Sequence, residues 1–170
     1  MPDREILFRG QTRRYGEKVK NFSGDPMPSN WVYGGIFPGN GDKSIIYGST
    51  DGTVAGLTKW VVYSDTVSQY TGLTDKHGTR IFEGDIVSVK NDQGEIYRFI
   101  MAFGECGDIQ NIKRTVGYMG FHFLSENDET NKCMEIGVRN DPLYWLNAYD
   151  CEVIGNRWDN PELMGGDTDV

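Results

Sequence analysis

Glu83 and Asp85 are the one pair of carboxylates in this chain that stands in a distinctive setting. With Gly84 between them, both fall on the same face if the backbone there is extended. Two carboxyls so placed can divide acid and base roles in a hydrolysis, which makes them the candidate catalytic pair. No third group in the sequence is positioned to orient them, and no nucleophile elbow accompanies the serines and histidines present. Residues 35–44, GIFPGNGDKS, come close to a phosphate-binding loop. That motif needs Gly directly before Lys, and here Asp42 intervenes. The next residues, Ile45-Ile46-Tyr47, are strand-like and do not open a helix whose first turn could hold phosphate. Cys106, Cys133, Cys151, His77 and His122 are too widely spaced for a zinc site. The acidic run Ser125–Thr130 lacks the central glycine and the ligand spacing of a calcium loop. Neither a cofactor nor a metal is expected.

A binding surface is the other chemistry to weigh. Tyr97, Phe99, Tyr118 and Phe121, with Arg98 and Arg139, are the aromatic and basic residues that could form a platform for nucleic acid, helped by Phe123, Lys113 and Arg114. The competing reading is that these rings fill a small β core, which needs large side chains.

The elements that must position these residues are short strands. Residues 5–9, 31–37, 44–47 and 60–63 read as strands separated by polar, Gly-rich and Pro-rich stretches. Residues 66–84 hold few apolar residues and several turn signals, among them Asp75-Lys76-His77-Gly78. From Asp85 the chain turns into a run of strands: 85–90, 95–103, 116–123, 133–138 and 149–154. Such short spacing suggests a small closed or half-closed barrel. Asn160-Pro161-Glu162 starts a helix of about one turn, which Gly165-Gly166 stops. The expected organisation is an irregular β-rich region over 1–65, a joining segment over 66–84, a barrel domain over 85–164 and a tail over 165–170.

The chain has 170 residues, enough to bury a sizeable core without disulfides or metal. Its net charge of −8 works against phosphate backbones, though a local basic face can override it. Three separated cysteines read as reduced thiols. The charged first residues lack a signal sequence and no apolar run is long enough for a membrane helix, so a cytoplasmic protein is expected.

Residues 66–89, TVSQYTGLTDKHGTRIFEGDIVSV, resemble the signature of the YopX family of phage and prophage proteins. ILFRG at 6–10, WVYGG at 31–35 and CEVIGNRWDNPELM at 151–164 are similar to the family's opening and closing segments, in the same order. The stretch 38–62 departs from the pattern, and 104–148 is similar only as alternating strands. The resemblance implies an SH3-like C-terminal barrel behind an irregular N-terminal region, a phage or prophage gene and a bacterial host cytoplasm. It supplies no catalytic residues. On the residues themselves, the signature reads as a structural lock: Gly72 turns the chain between Tyr70 and Leu73, and Asp75 and Asp85 cap their own turns. The expected function is therefore that of a non-enzymatic accessory protein acting through an unknown protein partner or self-association, with nucleic-acid binding by the barrel as the alternative.

Overall fold

The structure, a computed structural model, describes residues 5–12, 30–49, 56–90, 94, 96–106, 118–125 and 150–164. These residues are mainly β and form two antiparallel sheets. The chain divides into two compact units, Met1–Tyr70 and Thr71–Val170.

The first unit contains β1 (Phe8–Gln11), β2 (Trp31–Phe37), β3 (Lys43–Ser49), β4 (Leu57–Tyr63), a 3-10 turn at Ser64–Thr66 and the opening residues of β5 (Ser68–Thr74). Its hydrogen-bonded order is β4-β3-β2-β1-β5. Cross-strand pairs fix the register: Ile36 faces Ile46, Ile45 faces Val61, and Ile46 faces Trp60. The sheet curls enough that Gly10 of β1 lies against Val62 of β4, where an added Cβ would stand 2.9 Å from Val62 Cγ2. Ile46 and Val62 are fully buried there. Thr66 then ties the end of the 3-10 turn back to β1, accepting from Gln11 N at 2.9 Å and donating to Tyr63 O at 2.7 Å. For its described strands, this unit is more regular than the irregular region expected. The Gly-rich stretch after β2 is a short connection, and the strands around it run seven residues each because β-branched and aromatic side chains pair across them.

The second unit contains the rest of β5, β6 (Arg80–Phe82), β7 (Asp85–Lys90), β8 (Ile96–Cys106), β9 (Tyr118–Ser125) and β10 (Asp150–Asn156), then a 3-10 turn at Pro161–Met164. β6 neighbours β5, and the main sheet has the order β10-β7-β8-β9. Its core is Ile81, Val87, Val89, Phe99, Met101 and Cys151, with Leu73, Tyr97 and Val153 packed against it. Alternation puts Val87 and Val89 on the core face as expected, and Ile86 is buried as well. Among the described residues β9 and β10 stand at opposite ends of the order and do not pair, so of the closed or half-closed barrel that the strand spacing suggests, the closed form is not what the described sheet shows.

Gly72 does not make a turn between Tyr70 and Leu73. It adopts φ +87° inside β5, which continues through it because Thr71 and Thr74 suit an extended backbone and Thr71 Oγ1 donates to Ile81 O at 2.8 Å. The expected strand at 133–138 and the tail at 165–170 lie outside the described residues. No described helix is long and apolar enough to cross a membrane.

Candidate functional site

The carboxylates singled out by sequence are anchored in different places. Asp75, 7% exposed, sits in the turn between β5 and β6. Its Oδ1 accepts from His77 N and Thr79 N, each at 2.8 Å, which is the expected cap of its own turn. Its Oδ2 accepts from Val153 N at 3.0 Å, a residue of β10 that lies 78 positions away. Lys76 N donates to Cys151 O at 3.1 Å beside it. The turn is thus stitched to β10 within the second unit. Burial pushes the Asp75 carboxyl up, but the donors at Val153, Thr79 and His77 together outweigh it and hold its pKa below the ordinary 3.8. Gly78 closes the turn at φ +80° and donates to Asp75 O at 3.0 Å.

Asp85 is buried at the start of β7, and its Oδ2 accepts from Phe82 N at 2.8 Å across the tight turn that Gly84 makes at φ +78°. Glu83 is half-buried in that turn. Gly84 donates to Met101 O at 2.7 Å and accepts from Arg157 N at 2.9 Å, and a Cβ on it would collide with the Trp158 ring. Trp158 is held in turn by Asn156, whose Oδ1 accepts from Trp158 N and Asp159 N while its Nδ2 donates to Asp159 Oδ2. Asn160 Oδ1 accepts from Asn156 N. The run Gly84–Asp85 and the segment 155–160 therefore brace each other by backbone bonding and by the Trp158 ring over Gly84, and the carboxylates of Asp75 and Asp85 both accept from main-chain donors. On the exposed side of the same unit, Lys76 Nζ lies 3.1 Å and His77 Nε2 3.9 Å from Glu152, a surface cluster of the kind worth little to stability. Its hydrogen bond to Glu152 raises the Lys76 pKa. Among the described residues, no group of three or more His, Cys, Asp or Glu could hold a metal ion.

The aromatic and basic platform is divided by the strand it rides on. Phe99 is buried in the core, stacked on the half-buried Tyr97 with centroids 6.4 Å apart, so Phe99 offers no face to a ligand. Arg98, next along β8, is exposed. In the β8–β9 register Tyr118 lies opposite Cys106 and Phe121 opposite Phe103. Arg139, Lys113 and Arg114 lie outside the described residues.

What sequence reasoning missed is in the first unit. On one face of β2, β3 and β4 stand Tyr33, Gly35 and Phe37, then Lys43, Ile45 and Tyr47, then Leu57, Lys59, Val61 and Tyr63. Register brings them into rows across the strands: Phe37, Ile45 and Val61 in one, and Gly35, Tyr47 and Lys59 in the next. Tyr33, Phe37, Tyr47, Leu57 and Val61 are between 39% and 61% exposed. Nothing stands within 4 Å of where a Cβ on Gly35 would be, which leaves bare backbone between Phe37 and Tyr33. Lys43 Nζ lies 2.8 Å from the centroid of the Tyr63 ring. The signal was there to find: residues 60–63, Trp60-Val61-Val62-Tyr63, are apolar on both faces, which a sheet with one solvated side does not require.

The two antiparallel sheets, the braced turns and this exposed apolar face belong to a mainly β protein. The YopX protein family model matches residues 39–165, most of the chain, and the chain belongs to that family. The match includes the Gly-rich stretch after residue 38, where the resemblance by motif was weak, while the similar segments at 6–10 and 31–35 precede it. No curated protein matches the chain.

Proposed function

We propose that this chain is a non-enzymatic accessory protein of a phage or prophage, working in the host cytoplasm through protein contact or self-association. The observation that carries the reading is the outward face of β2-β3-β4, where five large apolar side chains share one sheet surface in contact with water. Contiguous exposure of this kind marks an interaction surface, and tyrosine is a residue such surfaces favour. The carboxylates support the same reading, since Asp75 and Asp85 accept from backbone groups that their turns need. The β7-β8-β9 meander with β10 on the far side of β7 supports an SH3-like barrel as the architecture of residues 85–164.

The test compares the native chain with Phe37→Ser and Val61→Lys by light scattering and by recovery of partners from host extract. The expected result is an assembly or a recovered partner that both substitutions abolish while the melting temperature stays in place. A native chain that is a strict monomer and recovers nothing, or variants that behave like it, would overturn the proposal. Nucleic-acid binding through β8 and β9 has less behind it, because Phe99, the middle of that platform, is in the core.

A further inference from the structure

We infer that the outward face of β2-β3-β4 receives an acidic, amphipathic segment of another protein, one that lays an apolar ridge along Phe37, Ile45 and Val61 and offers a carboxylate to Lys59. The inference rests on the proposed contact role and adds the chemistry of the partner.

Charge complementarity carries it. The ten outward positions include two lysines and no carboxylate, in a chain whose net charge is −8. The two lysines differ. Lys43 lies over the Tyr63 ring, and the exposed Asp42 and Asp65 flank that end of the face. Lys59 is exposed in the middle of β4, opposite Tyr47 and between Leu57 and Val61 along the strand. Among the described residues no hydrogen bond or ion pair engages it. A cation ringed by apolar side chains gains most from a carboxylate that arrives with apolar neighbours, since their contact removes water from around the pair. The −8 of the whole chain does not cancel this, because charges farther away than about 8 Å are largely screened at physiological salt.

The same feature disfavours a second copy seated face to face. That arrangement brings like charges together on two apolar surfaces, which costs affinity rather than adding it. The apolar row runs across the strands, a direction in which the anchor side chains of an amphipathic helix, recurring about every turn, can meet one residue from each strand.

The experiment uses the full chain and two fluorescein-labelled helical peptides with the same leucine ridge, one flanked by glutamates and one by lysines, together with oligothymidine. Anisotropy is read at fixed ionic strength for the native chain, Lys59→Glu and Val61→Lys. The expected result is binding of the glutamate-flanked peptide to the native chain, about tenfold weaker binding to Lys59→Glu, and a gain of binding by the lysine-flanked peptide to that variant. Equal binding of both peptides to the native chain, no binding of either, or tighter binding of oligothymidine would overturn the inference. Light scattering that shows native dimers dispersed by Val61→Lys would overturn it as well, in favour of a second copy. Val61→Lys separates the two levels: if it changes neither peptide binding nor assembly, the face is not a contact surface at all. If it matters while Lys59→Glu does not, the contact role stands and only the acidic partner falls.

Discussion

Both oxygens of Asp75 accept from main-chain N–H groups, those of His77, Thr79 and Val153, so its loss disturbs both its own turn and the tie to β10. Asp75→Ala leaves those part-buried donors without their acceptor, and a loss of about 1–3 kcal/mol in chemical denaturation is expected. The pH dependence comes from the same bonds. The folded carboxyl holds its proton more weakly than the unfolded one, so its contribution to stability is complete above the ordinary value of 3.8 and is lost as pH falls through the lower folded value. Asp75→Asn, which cannot ionise, should flatten that part of an acid unfolding curve followed by circular dichroism. Two glycines in the same signature separate strain from crowding. Gly78 and Gly84 both have positive φ, but nothing surrounds the first, while the ring of Trp158 covers the second. Gly78→Ala is expected to cost about 1 kcal/mol, and Gly84→Ala about 1–3 kcal/mol more from overpacking; thermal melts of the pair measure the difference. The capping role of Asp75 was legible in the sequence because its turn is local. The bond to Val153 was not, since nothing in a turn motif names an acceptor's partner on a distant strand.

At the scale of strands, the two sheets answer differently to substitution. Phe99→Ala empties a buried site in β8 and is expected to lower stability by about 3–5 kcal/mol. Phe37→Ser on the outward face of β2 removes a side chain already in water, and its cost to stability is expected to lie within about 0.5 kcal/mol, its main effect being on association. Strands with clear alternation, such as β7, or with dense aromatic and β-branched content, such as β2 and β8, could be read from sequence. β5 could not, because Ser68, Gln69, Thr71 and Gly72 carry little apolar signal; its extended form comes from hydrogen bonding to β1 and β6. The outward face escaped for the opposite reason. Residues 31–37, 44–47 and 60–63 read as strand-forming while Lys43, Leu57 and Lys59 fall outside those readings, and periodicity cannot say which face of a strand apolar on both sides stays uncovered.

For the molecule as a whole, Cys151 is a reporter placed in the core of the second unit. Burial, aided by Asp150 and Asp75 and opposed by Lys76, pushes its thiol up to about 11, so at neutral pH it is neither ionised nor accessible. Reaction with a disulfide reagent is therefore expected to be negligible until the unit opens, and its rate against denaturant should track unfolding of that unit. Fast labelling of Cys151 in the native chain would show that β10 detaches on its own.

The stitch between Asp75 and Val153 also has a consequence for how the protein is made. Chain growth delivers the turn long before its partner strand, and β10 completes the flank of β7 only once residues 150–156 have left the ribosome. Until then β7 lacks its β10 neighbour and Asp75 lacks the Val153 donor. Nascent chains arrested short of residue 150 should accordingly be open to proteases in the second unit, whereas chains extended far enough to expose residues 150–164 should gain protection in a single step.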